Sequence, residues 1–158
     1  MKCLVLIMLV LTSITQAQSP VDLEKEKTEL LRLHKVDREA HFKTDVDLLL
    51  DGSAEEFVAV SNGKISRSQR TGDRKGFAEY FKGVKYYEWD DLEEPIVRIS
   101  KDGSMAWMIT RIRSRRTQKD KTGKEKEEKF VYAGIMIYEK QNGKWVRVAN
   151  VSTFEPPS

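Results

Sequence analysis

Four titratable residues, His34, Asp37, His41 and Asp45, follow one another at spacings of 3, 4 and 4. Residues three and four apart are neighbours on one face of a helix, so each of the four can touch the next. At about 100° per residue they fall, together with Leu23 and Leu30, within roughly 80° of arc. The stripe that should face a core therefore carries ionisable groups. Burying such groups unpartnered costs several kcal/mol, so they either satisfy one another and nearby backbone at the helix end, or they serve a ligand. The catalytic candidates are His41 with Asp45 or Asp37, a histidine–carboxylate pair able to act as acid/base or to orient a ligand at a cavity mouth. A metal centre fits less well. His34 and His41 lie about 10 Å apart along the axis at 1.5 Å rise per residue, whereas histidine binds zinc at about 2 Å. Neither a metal nor a cofactor is expected.

Further candidates lie later in the chain. Trp89, Trp107, Tyr132, Tyr80 and Phe81 could line an apolar cavity with His34 and His41 as placed polar groups, or they could simply be core. Arg111, Arg113, Arg115 and Arg116 follow one another along a strand candidate. Strand side chains alternate, so Arg111 and Arg113 should share a face with Trp107 while Arg116 points away. An inward Arg111 would favour an anionic ligand; an outward one would belong to a solvated strand end or a dimer rim.

The elements that must position these residues are legible in outline. Helical character runs from Pro20 to about Asp45, with Glu24 and Glu26 near the positive end of the dipole and Lys25, Glu29, Arg32 and Glu39 facing water. A short second helix, Val46 to Leu50, stops at Asp51-Gly52. Phe57 to Val60, Asn62-Gly63 and Lys64 to Ser66 read as a tight hairpin, because Asn-Gly supplies the positive φ angles of a type I′ turn. Asp73 should cap a third helix through Phe77, Tyr80 and Phe81 to Gly83. Strands are expected at Val84 to Trp89, Pro95 to Ile99, Met105 to about Arg115, Phe130 to Lys140 and Trp145 to Phe154. The charged run Lys119 to Lys129 should be a solvated loop. Helices segregated to one side of such a meander make an α+β domain.

The N-terminus reads as an export signal. Lys2 is basic, Cys3 to Leu11 are apolar, and Thr15-Gln16-Ala17 offers small residues before a cut ahead of Gln18. That run is shorter than the roughly 20 residues a membrane helix needs, and no later window approaches it, so the mature chain is expected not to span a membrane. The expected destination is secreted or periplasmic. Removing 17 of the 158 residues leaves 141, a usual size for one domain, 18–158. It also removes the only cysteine, Cys3, which excludes disulfides and thiol chemistry from the mature protein. Loss of Lys2 lowers the formal charge from +3 to +2. The basic run is interleaved with Glu125, Glu127 and Glu128, so a nucleic-acid partner is not expected.

The order of two helices, hairpin, third helix and meander resembles the nuclear transport factor 2-like superfamily, particularly its SnoaL-like branch. The residues carrying the resemblance are Arg38-Glu39-Ala40-His41 with Asp45, Glu56-Phe57 and Asn62-Gly63, Phe77 with Tyr80-Phe81, and Gly143-Lys144-Trp145-Val146. It implies a cone-shaped fold in which a curved antiparallel sheet wraps about three helices around a cavity, and a homodimer. It implies no single reaction, since relatives include isomerases, dehydratases, cyclases, hydrolases and non-catalytic assembly domains. Steroid-isomerase-like members pair a carboxylate base with a tyrosine and a protonated acid. Here Tyr80, Tyr86, Tyr132, Trp89, Asp90 and Asp91 do not align onto that set, and Asn150 and Ser152 stand where relatives often place histidine. Asn150 joins the ligand-binding candidates, and no catalytic role is carried over. Two functions are therefore expected to compete: a small-molecule-binding pocket with or without acid/base activity, and a dimeric interaction module using the outer face of the sheet. The apolar residues on both faces of one strand, Val131, Ala133, Ile135 and Ile137 against Phe130, Tyr132, Met136 and Tyr138, favour a dimer through the sheet.

Overall fold

The computed structural model describes residues 21–156. The export signal, the cut ahead of Gln18 and the proline at position 20 lie outside the described residues. Helix α1 spans Leu23–Lys43. The Asp22 carboxylate accepts from the Lys25 amide at 3.1 Å, and Glu24 and Glu26 stand in the first turn. The helix ends because Thr44 turns left-handed, at φ 50°, and its amide bonds back to the Ala40 and His41 carbonyls. That break removes Asp45 from the helical stripe. Its carboxylate instead accepts from the Leu48 amide at 3.0 Å and caps α2, Val46–Asp51.

Strands β1, Ser53–Ser61, and β2, Lys64–Gln69, form the expected hairpin, with Asn62 at φ 50° and Gly63 at φ 71°. Helix α3, Arg70–Phe81, starts three residues before the anticipated cap. Asp73 lies inside it and accepts from the Ser68 hydroxyl at 2.8 Å, and the side chain of Gln69 at the N-cap makes no capping bond, donating instead to the Glu56 carboxylate at 3.2 Å. Five strands follow: β3, Val84–Asp91; β4, Ile96–Ile99; β5, Met105–Lys119; β6, Glu125–Gln141; and β7, Lys144–Phe154. The run from Lys119 to Lys129 is mostly not a loop. β5 and β6 pair continuously out to Lys119 and Glu125, where opposed charges such as Arg116 and Glu128 face each other across the ladder.

The seven strands form one sheet in the order β2-β1-β7-β6-β5-β3, with β4 beside β5. It is mixed rather than antiparallel throughout, because β1 and β7 run parallel. Such a pairing needs a long crossover, which β2, α3 and the meander supply. A Cβ on Gly134 in β6 would stand 3.0 Å from the Val151 carbonyl oxygen, so glycine lets the two strands approach. The helices fill the concave side as two apolar clusters. One joins Leu30 to Val97, Ala106, Met108, Tyr138 and Trp145. The other joins Ala40 to Leu49, Phe81, Val84, Tyr86, Trp89 and Ile112. Leu23, expected on the buried stripe, is exposed. Among the described residues no helix is long and apolar enough to cross a membrane.

Candidate functional site

A cavity of about 760 Å³ opens on the concave side at the end of the second cluster. α1 contributes Asp37 and His41, β3 contributes Tyr86 and Trp89, β6 contributes Phe130 and Tyr132, and β7 contributes Arg147 and Asn150. His41 is the best-defined group in it. Its ring stacks on Trp89 at 3.9 Å between centroids and 16° between planes, and meets Tyr86 edge-on at 5.2 Å. Its Nδ1 lies 2.7 Å from the Asp37 carbonyl oxygen. A carbonyl can only accept, so Nδ1 carries a proton and exchange of the ring's second proton takes place at Nε2. Nε2 has no hydrogen-bond partner among the described residues. The Asp37 carboxylate stands 3.6 Å from Nδ1, where it stabilises positive charge on the ring.

Asp37 is held in turn by Arg147, whose Nη1 donates to Oδ1 at 2.5 Å while Nη2 donates to the Leu49 carbonyl. Burial alone pushes the Asp37 carboxyl up. The charges of His41, Arg147 and His34 and the Arg147 hydrogen bond outweigh it and hold the carboxyl below the usual aspartate range. A second arginine on the wall, Arg116, donates to the Tyr80 and Tyr86 hydroxyls and, at 2.8 Å, to the Glu128 carboxylate. Burial raises the Tyr86 and Tyr132 hydroxyls well above their ordinary range, so both stay protonated. The indole Nε1 of Trp89, itself only 7% exposed, and Oδ1 of Asn150 are enclosed without partners among the described residues.

The structure brings together His41, Asp37, Trp89, Tyr132 and Asn150 of the sequence candidates. Tyr80 lies in an adjoining hollow, its hydroxyl 2.8 Å from that of Tyr86. Four candidates lie elsewhere. Asp45 caps α2. His34 Nε2 is 2.9 Å from both carboxylate oxygens of Asp91 and does not line the cavity. Trp107 and Arg111 project from the outer face, because Ala106, Met108, Ile112 and Ser114 take the buried face of β5. Arg111 there donates to Glu155 at 2.5 Å and to Glu93 at 3.3 Å. The inward arginines are Arg116 and Arg147. Parity along β5 separates Arg116 from Arg111, but both faces of the strand carry apolar residues and its sequence does not say which face is inside. Arg147 and Asn150 share a face only because a register shift leaves Val148 as an extra residue in β7. Among the described residues no group of three or more His, Cys, Asp or Glu side chains is placed to hold a metal ion.

No family model and no curated protein matches the chain. Solved structures do match it in shape. A ketosteroid isomerase-like protein from Erwinia carotovora atroseptica superposes with a TM-score of 0.63 at 12% identity, over 84% of this chain and 98% of that one. A nuclear transport factor 2-like protein with a cystatin-like fold, from Novosphingobium aromaticivorans, gives 0.59 at 14% identity over 86% of each chain. A candidate calcium/calmodulin-dependent kinase II association domain from Exiguobacterium sibiricum gives 0.66 at 10% identity, over 90% of this chain and 100% of that one. The chain has the nuclear transport factor 2-like fold. At these identities the likeness extends to the fold and not to a reaction.

Proposed function

We propose that this chain binds a small, largely apolar molecule in the cone, as a pocket protein of the SnoaL-like type, with His41 presenting Nε2 to the ligand as hydrogen-bond partner or acid/base. The observation carrying this reading is the state of His41: stacked on Trp89, its tautomer fixed through Nδ1, its other nitrogen unpartnered at the wall of an aromatic cavity. Asp37 and Arg147 serve as positioning residues. A proton accepted at Nε2 makes an imidazolium that the Asp37 carboxylate stabilises, which suits isomerase-, dehydratase- or hydrolase-like steps. A screen of aromatic and alicyclic carbonyl compounds and alcohols, read by tryptophan fluorescence and by turnover, tests it. Hits must lose at least tenfold in affinity or rate with His41→Ala; hits indifferent to that change contradict the assignment.

One observation favours a second reading, a dimeric interaction module. On the outer face, paired positions form an aliphatic row across six strands: Ile96, Ile109, Ile135, Val151, Val60 and Ile65. Ile65 is 65% exposed and Ile96 48%. A row of this kind suits a second copy of the sheet. Sedimentation at tens of micromolar should give a dimer that Ile109→Glu dissociates; a monomeric wild type counts against it. Export belongs to the same proposal and rests on residues 1–17. Intact mass of the exported protein should begin at Gln18, and a chain retaining Met1 contradicts it.

A further inference from the structure

The charged side chains lining the cone are Asp37, Asp73, Arg116 and Arg147, with His41 beside them. Both arginines are committed to carboxylates: Arg147 pairs with Asp37 at 2.5 Å, and Arg116 with Glu128 at 2.8 Å. Asp73 is left over. Its Oδ2 accepts from the Ser68 hydroxyl at 2.8 Å, a tie between β2 and α3 that uses one of the two oxygens. Among the described residues Oδ1 has no partner and the carboxylate has no cation; Arg70, one turn earlier, neither pairs with it nor lines the cone. The surroundings of this carboxylate are aromatic. Phe77 follows it by one turn on the same face of α3, and Phe57 stands opposite Ser68 in the β1–β2 ladder. Both rings line the cone, whereas the cation at the cone, Arg116, lies over Tyr80, Tyr86 and Phe130 instead. Since no group of three or more His, Cys, Asp or Glu side chains among the described residues is placed to hold a metal ion, the cation that fits is an organic one. An ammonium gains a charge-assisted hydrogen bond from the carboxylate and attraction from the ring faces.

We propose that Asp73, bordered by Phe57 and Phe77, is the recognition point for an organic ammonium group, so that the ligand of the cone is an amine whose apolar body lies along the aromatic wall. The proposal rests on the reading that the cone binds a small molecule, and it names the class of that molecule. The chain as a whole has a positive formal charge, which disfavours a cation at large, so a preference for the amine reports the local carboxylate.

The test uses tyramine, 4-ethylphenol and 4-hydroxyphenylacetate, which share a phenol body and at neutral pH carry a cation, no charge and an anion at the other end. Affinities are measured by calorimetry on the mature chain and on two variants. Wild type should bind tyramine at least about tenfold more tightly than 4-ethylphenol, and 4-hydroxyphenylacetate most weakly. Asp73→Asn keeps an oxygen for the Ser68 hydroxyl and removes the charge. It should melt close to wild type, leave 4-ethylphenol unchanged and bring tyramine to within about twofold of it. Phe77→Leu alters a side chain that is 37% exposed, so the fold should tolerate it, and should lower the preference for tyramine by about two- to fivefold. Should Asp73→Asn not fold, Phe77→Leu decides the placement. Equal binding of tyramine and 4-ethylphenol by wild type overturns the ammonium site and leaves the cone reading standing. A preference undiminished in either folded variant overturns the assignment to Asp73. Failure of wild type to bind any of the three overturns the cone reading and this proposal with it.

Discussion

The two apolar clusters under the sheet are built on the same helix and treat polar groups in opposite ways. Around Leu30 the interior is filled, and its polar groups are matched: Trp145 Nε1 donates to Glu26 at 2.6 Å, and Lys140 donates to the other oxygen of that carboxylate. Around Ala40 the aromatic rings pack against one another along the wall of a cavity, and His41 Nε2, Trp89 Nε1 and Asn150 Oδ1 lack partners among the described residues. A chain that satisfies a buried indole at one end and leaves another unsatisfied three turns along is not short of partners. The packed end has its polar groups matched, whereas each enclosed and unmatched polar atom at the open end costs about 1 to 3 kcal/mol.

The largest expected effect lies where the open end is held rigid. Arg147→Met leaves the Asp37 carboxylate mostly buried without its hydrogen-bonded cation and frees the Leu49 carbonyl, for a loss of about 3 to 5 kcal/mol by urea unfolding. A loss below about 1 kcal/mol would show that the pair is solvated. Next, Met108→Ala at the packed end, where the side chain is 1% exposed, should cost about 2 to 4 kcal/mol and leave ligand affinity unchanged. Altered affinity would erase the division between the ends. His41→Ala inverts that pattern: about 1 kcal/mol of stability for the lost Nδ1 bond, and at least tenfold in binding.

The smallest effect is in pH. The folded Asp37 carboxyl titrates below its unfolded value of about 3.9, so its contribution is complete above that value and is lost as pH falls through the folded one. Thermal midpoints should drop below about pH 4 in wild type. Asp37→Asn should start lower at neutral pH and fall less steeply; parallel curves would assign the acid limb to other carboxylates.

Much of the scaffold is legible before any coordinates. Asn62-Gly63 and the helical spacing of α1 each state a local geometry that tertiary packing leaves in place. Half of the site is legible for the same reason, since His41 and Asp37 sit one turn apart on a core-facing stripe. The rest depends on events with no local signature. A single left-handed residue, Thr44, takes Asp45 out of phase, and one extra residue in β7 turns Arg147 inward beside Asn150. Trp107 fails for a different reason: both faces of β5 are apolar, so period alone could not tell cavity from outer surface.

Three tryptophans stand at the three places that matter: Trp89 at the open end, Trp145 at the packed end and Trp107 on the outer face. Each contributes one indole N–H signal to a ¹H–¹⁵N correlation spectrum, assignable by single Trp→Phe changes. Titration with 4-ethylphenol should move the Trp89 signal, saturably, while those of Trp145 and Trp107 stay in place. Movement confined to Trp107 or Trp145, with Trp89 unmoved at saturation, would contradict the assignment of the open end as the binding site.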